Sequence, residues 1–179
     1  LVRRVFIVSP ANLTFQWQRE LSDKFREKFD IIRGNVLRAN YGQNPWQEHD
    51  QVVTSVSWVS IVEDARESLL RSRWDLVIVD EAQEMSDAAW EEMFQALNAG
   101  GSRWVYGVPN GLRNTFYRMT QDASAEQYSW PSALNPEFSN EKDIELALLY
   151  GGRESPGYVH RVLGQHGSPA YAVFDLNAY

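Results

Sequence analysis

Trp74–Ser86, WDLVIVDEAQEMS, decides the fold. Within it, Asp75–Val79 is a run of five apolar or near-apolar residues, aliphatic and β-branched after Asp75, that ends abruptly in two acids, Asp80 and Glu81. A strand with one wet face alternates apolar and polar residues. A run without alternation suits a strand covered on both faces, as in a parallel sheet flanked by helices. Three other stretches share this texture: Val5–Val8, Gln51–Ser55 and Arg103–Val108. Between them apolar residues recur at helical spacing, as in Leu13, Trp17, Leu21 and Phe25, in Ile61, Ala65 and Leu69, and in Ala89, Met93, Phe94 and Leu97. Strands alternating with helices predict an α/β fold: an open, mainly parallel sheet with helices on both faces and right-handed crossovers.

Farther out, Asn40–Asp50 reads as a polar loop, Gly100-Gly101 as a helix stop, and Pro109-Asn110-Gly111 as a tight turn after the fourth strand. Beyond Thr120 the texture changes. Trp130-Pro131 and Asn135-Pro136 interrupt the chain, and Glu141–Tyr150 and Ser155–Leu163 carry helical patterns. The expected organisation is a sheet-bearing lobe over 1–120 and a helical extension over 121–179. The chain opens almost directly on a strand and without methionine, the look of an excerpt.

Composition narrows the chemistry. The absence of cysteine excludes disulfides, thiolate metal sites and thiol catalysis. No apolar run reaches the eighteen residues or so of a membrane span, and LVRRVFIVSP is too short for a secretory signal, so a cytoplasmic setting is expected, in a bacterial or phage-infected cell. A net charge of -7 weighs against indiscriminate binding to phosphate backbones. His49, His160 and His166 lack any spacing that builds a metal site.

The two acids remain. In an open parallel sheet, ligands bind beyond the carboxyl ends of the strands, where Asp80 and Glu81 fall. Adjacent residues on an extended chain point opposite ways, so the two can take separate tasks. Asp80 would hold Mg²⁺, through water, because that ion keeps most of its hydration shell. Glu81 would orient and deprotonate the water that attacks the γ-phosphate of ATP. Gln83 could report the γ-phosphate to the next strand. A competing reading has the two acids merely capping the following helix.

These residues carry a resemblance. VFIVSPANLTFQWQRELSDKF (5–25), in which a strand ends in Pro and a QW-containing helix follows, resembles motif Ia of Swi/Snf- and RapA-type superfamily-two helicases. NPW (44–46) with QVVTSVSW (51–58) resembles the next block of the same group, and WDLVIVDEAQ (74–83) its Walker B element, with Gln83 where many members carry His. After Ser86 the likeness shifts. In place of the TATP turn expected of such helicases stands VYGVPNGLRNTFYRM (105–119). That stretch, with NPEF (135–138) and GGRESPGYVHRVLGQHG (151–167), looks like the ATPase region of phage terminase large subunits. Both resemblances imply a RecA-like P-loop motor that uses ATP and Mg²⁺ and moves along double-stranded DNA, with further motor subunits, phage portal or small terminase, as partners in the terminase case.

The resemblance also implies roles for smaller groups. Gly107, Asn110 and Arg113 fall at the coupling turn that senses the γ-phosphate, with Asn110 placed to meet Gln83; an ordinary strand-to-helix turn is at least as good an account. Ser9, Asn12, Thr54 and Ser55 would contact the DNA backbone, which hydroxyls and amides can do without net charge; helix capping by Ser9 or Asn12 competes with this. Arg71 and Arg73 read better as salt-bridging residues than as phosphate ligands. Trp46 and Trp58 are the better base-stacking candidates, whereas Trp17, Trp90 and Trp104 should face the core. No GxxxxGK[ST] occurs in the sequence; in both families it would precede Leu1. The chain alone is therefore expected to hydrolyse ATP poorly. The alternative function is a non-catalytic RecA-like module that binds nucleic acid or protein.

Overall fold

The computed structural model describes residues 2–34 and 43–167. Contacts divide the chain into two compact units, Leu1–Tyr106 and Gly107–Tyr179, a division ahead of the Thr120 boundary read from the change of texture. The first unit runs β1 (Val5–Ser9), α1 (Thr14–Glu20) with a π-helical turn at Leu21–Phe25, β2 (Asp30–Ile31), α2 (Pro45–Glu48), β3 (Gln51–Ser55), α3 (Val56–Ile61), α4 (Glu63–Leu70), β4 (Trp74–Val79), a 3₁₀ turn at Ala82–Glu84, α5 (Asp87–Gln95) and β5 (Leu97–Val105). The strands form one sheet in the order β2-β3-β1-β4-β5, and every pairing is parallel. This is the expected open α/β sheet.

The unbroken apolar runs do what their pattern requires. Phe6, Ile7, Val8, Val52, Val53, Val77 and Val79 are fully buried, and each such side chain contributes roughly 1.5–3 kcal/mol by leaving water. Ile7, Val53, Leu76 and Ile78 form one cluster with Phe29, against which Trp17 and Leu21 pack. Phe6, pointing the other way, meets Trp46 edge-on at 5.7 Å and stacks on Trp74 at 5.2 Å. Trp74 reaches the Phe6 side because β4 carries a bulge. The amides of Asp75 and Leu76 both donate to the Arg4 carbonyl, at 3.0 and 3.1 Å, and the extra residue reverses the alternation.

Several local expectations are corrected. Gly100-Gly101 does not stop a helix. Helix α5 ends at Gln95, and both glycines lie inside β5, which starts at Leu97 and not at Arg103. The register jumps there, with Trp74 opposite Leu97 and Leu76 opposite Ser102. Gly100 sits at φ 79°, and a Cβ on Gly101 would lie 3.1 Å from the Asp75 carbonyl. The Ile61–Leu69 periodicity also hides a break. Val62 is extended (ψ 105°) and separates α3 from α4, leaving Ile61 79% exposed while Ala65 and Leu69 are buried. Of the polar loop expected at Asn40–Asp50, residues 40–42 lie outside the described residues. Its later part holds α2, whose start is capped by Asn44 Oδ1 accepting from Trp46 N at 3.1 Å.

The second unit contains α6 (Thr115–Met119), a 3₁₀ turn at Ser132–Leu134, α7 (Asn140–Tyr150) and α8 (Pro156–Arg161). Ser139 and Ser155 cap α7 and α8, accepting from Lys142 N and Tyr158 N, and Gly151, at φ 82°, closes α7. Ala147, Tyr158 and Val162 form a small core. Asp143 joins the two helices by accepting from the Tyr158 hydroxyl and the Arg153 guanidinium. Among the described residues no helix is long and apolar enough to cross a membrane.

Candidate functional site

Strand β4 lies between β1 and β5, and both neighbours continue to hold the chain past its end. Asp80 N donates to the Val8 carbonyl at 2.9 Å, Tyr106 N to the Val79 carbonyl at 2.8 Å, and Ala82 N to the Tyr106 carbonyl at 2.9 Å. The turn between these anchors is tight enough to put Glu81 in the left-handed region, φ 53° and ψ 45°. For a residue with a Cβ that conformation is costly, and it persists only where the surroundings enforce it.

The consequence is a divergent pair of half-buried carboxylates at the rim of the sheet. Asp80 turns toward α1. Its Oδ2 accepts from the Trp17 indole Nε1 at 2.8 Å and its Oδ1 from the Glu81 amide at 3.0 Å. Glu81 turns to Gln83, whose side-chain amide donates to Glu81 Oε2. Gln83 is only 9% exposed, so it braces Glu81 from within the fold. The helix-capping reading of the acids does not hold. Helix α5 is capped by Ser86, whose Oγ accepts from Ala89 N, with Asp87 in its first turn.

A carboxylate has about four lone-pair positions, and two donors on Asp80 leave room for others. Among the described residues no cluster of three or more His, Asp or Glu is poised to hold a metal. Asp80, a half-buried carboxylate with lone pairs left over, fits Mg²⁺, which retains waters and takes one or two carboxylates.

The other expected residues divide. Ser9 and Thr54 are fully buried, their hydroxyls donating to the Pro10 and Ile32 carbonyls at 3.3 and 2.9 Å. Ser55 is 8% exposed and caps α3 by accepting from Trp58 N. Asn12 is exposed and caps nothing, since Leu13 occupies the N-cap of α1 without a side-chain hydrogen bond. Gly107, Asn110 and Arg113 belong to the second unit. There Asn110 Oδ1 accepts from Leu112 N at 3.0 Å, within a turn completed by Gly111 at φ 80°, and the Arg113 guanidinium lies 4.1 Å over the Tyr117 ring. Arg71 pairs with Glu67 at 3.1 Å, and Arg73 donates to the Leu70 carbonyl.

The tryptophans are reassigned. Trp46 is completely buried, donates to the Ala65 carbonyl and Ser68 Oγ, and packs on Trp58 at 5.7 Å, so it is no stacking platform. The turn of α2 carries it inward, which loop-like composition concealed. Trp104 is 53% exposed and lies on β5, at the edge of the sheet among the described residues. Trp90 is buried, as expected. Trp17 was missed as a site residue. Its sequence signal was the QW pair on α1, and what makes it matter is a partner 63 positions away.

The all-parallel open sheet, with an Asp-Glu pair at the end of an inner strand, is consistent with the RecA-like class of α/β fold. Within that class the chain resembles lobe 1 of the Swi/Snf and RapA group. It is 29% identical over 100 residues to the RNA polymerase-associated protein RapA of Actinobacillus pleuropneumoniae, a match covering 51% of this chain and 10% of that protein. It is 28% identical over 89 residues to the RapA of Pseudomonas putida, covering 50% of this chain and 9% of that protein. The chain thus spans about a tenth of the length of these relatives. Among solved structures, the Sulfolobus solfataricus SWI2/SNF2 ATPase core in complex with dsDNA aligns over 90% of this chain and 36% of its own, at 13% identity and a TM-score of 0.49. No protein-family model matches the chain.

Proposed function

We propose that the first unit is part of an ATPase lobe in a nucleic-acid motor that couples ATP hydrolysis to movement along double-stranded DNA. The observation that carries this is the divergent carboxylate pair: Asp80 held between the Trp17 indole and the Glu81 amide, and Glu81 braced by Gln83. Asp80 would hold Mg²⁺, which supplies charge neutralisation for the nucleotide phosphates when bound. Glu81 orients a water and takes its proton, and Gln83 fixes the direction of the Glu81 carboxylate. These 179 residues contain no GxxxxGK[ST], so the proposal assigns them the carboxylate side of the nucleotide site and not its phosphate cradle. Duplex DNA is the proposed partner, with Asn12 and the capping residue Ser55 on its side of the sheet. Gly107, Asn110 and Arg113 are proposed as the coupling turn.

The test is ATP hydrolysis by the product of the complete reading frame, with Mg²⁺ and with or without duplex DNA. DNA-stimulated turnover is expected. Glu81→Gln should lower kcat by about 10²-fold or more, the usual worth of a positioned base, with ATP still bound. Turnover absent with and without DNA would leave the non-catalytic binding module as the better account.

A further inference from the structure

Trp17 donates a hydrogen bond to Asp80 from outside the carboxylate turn. It stands one turn into α1, in contact with the cluster of Ile7, Val53 and Ile78, yet its N–H faces out of that cluster onto Asp80 Oδ2 at 2.8 Å. Leu13, Gln16, Glu20, Leu21 and Phe25 surround the pair in a cavity of about 220 Å³. Against such largely apolar walls a carboxylate needs hydrogen-bond donors in place of water. A lysine or arginine would meet that need but would place a positive charge where a metal ion must sit. An indole N–H does it without charge. It also leaves Asp80 anchored at both oxygens from two different elements, Oδ2 from α1 and Oδ1 from its own turn.

We infer that Trp17 is a positioning residue for Asp80: its N–H fixes the carboxylate in the orientation that receives Mg²⁺ and ties that orientation to α1. The inference rests on the reading of Asp80 as the magnesium-holding group. Helix α1 starts two residues after Asn12, on the proposed DNA side, so the bond joins the strand grip to the metal carboxylate through little more than one helical turn.

Two measurements test it. In ¹H–¹⁵N spectra of the 179-residue chain, Mn²⁺ should broaden the Trp17 indole signal at concentrations that spare the indole of exposed Trp104, and Asp80→Ala should abolish that selectivity. In the product of the complete reading frame, the Mg²⁺ concentration for half-maximal ATP hydrolysis should rise at least tenfold in Trp17→Phe, the usual cost of losing a group that orients a metal ligand. KM for ATP at saturating Mg²⁺ and the thermal midpoint should change little. Trp17→His, which keeps a ring N–H, should recover part of the metal affinity, a recovery that a purely packing role would not give. Selective broadening with an unchanged Mg²⁺ requirement in Trp17→Phe would overturn the inference and leave the motor reading standing. If Trp17→Phe fails to fold, broadening and the Trp17→His requirement decide. Mn²⁺ that never reaches Asp80, together with absent ATP hydrolysis, would overturn both.

Discussion

At the scale of single residues, the site is organised by one strained backbone position. Glu81 is a non-glycine residue in the left-handed region, which costs an L-residue about 1–2 kcal/mol. Glycine escapes that cost but loses more chain entropy on folding, about 0.5–1 kcal/mol. Glu81→Gly should therefore leave the urea midpoint unchanged or slightly raised, while β-branched Glu81→Val should lower it clearly. A Val variant as stable as the parent would mean that the strain is absent. The acids themselves were legible, because an apolar run ending in Asp-Glu is a local pattern. Their environment was not. Neither the Trp17 bond nor the brace from Gln83 follows from spacing, since the first joins residues far apart in sequence and the second depends on the reversed turn at Glu81.

At the scale of elements, β1, β3 and β4 were legible almost to the residue, because burial on both faces leaves a continuous apolar signature. Strand β5 was not. Its first half, Leu97–Gly101, carries two glycines and an asparagine; Leu97 pairs with Trp74, and the regular register resumes only at Ser102, opposite Leu76. The β4 bulge is stapled by one carboxylate. Asp75 Oδ2 accepts from the Arg4 and Arg3 amides, each at 2.9 Å, and Oδ1 from Asn98 Nδ2 at 2.7 Å. The backbone amide of Arg4, then that of Arg3 and the Asn98 side chain, hold its pKa down to about 2. A pKa lower in the folded than in the unfolded chain adds stability that is complete above the unfolded value, near 4, and is lost as pH falls toward 2. The urea-midpoint gap between the parent and Asp75→Asn should hold steady above about pH 5 and shrink below pH 4. A gap that widens on acidification would show that the carboxylate does not staple the bulge as an anion.

At the scale of the whole molecule, the sequence pointed to a lobe and a helical extension, and contacts divide the chain at Tyr106–Gly107 instead. The difference has a physical source. Composition changes where prolines accumulate, after Thr120, whereas compactness changes where the sheet ends, just beyond β5. Charge is the remaining molecular property, and it constrains the proposed grip on DNA. With a net charge of -7, and with expected strand-contacting groups that are hydroxyls and an amide, few phosphates can be neutralised by this chain. Each neutralised phosphate adds about 0.9 to the magnitude of the slope of log K against log salt on duplex DNA. The 179-residue chain should therefore bind duplex DNA weakly, no tighter than about 10⁻⁴ M at physiological salt, the weak end of non-specific affinity. Its salt slope should be no steeper than about -2, the release expected for roughly two phosphates. Fluorescence anisotropy with a labelled duplex across a salt series measures both. A slope near -5 would require a cationic strip that this chain's charge balance opposes, and the grip would then have to be sought away from the strand ends of the first unit.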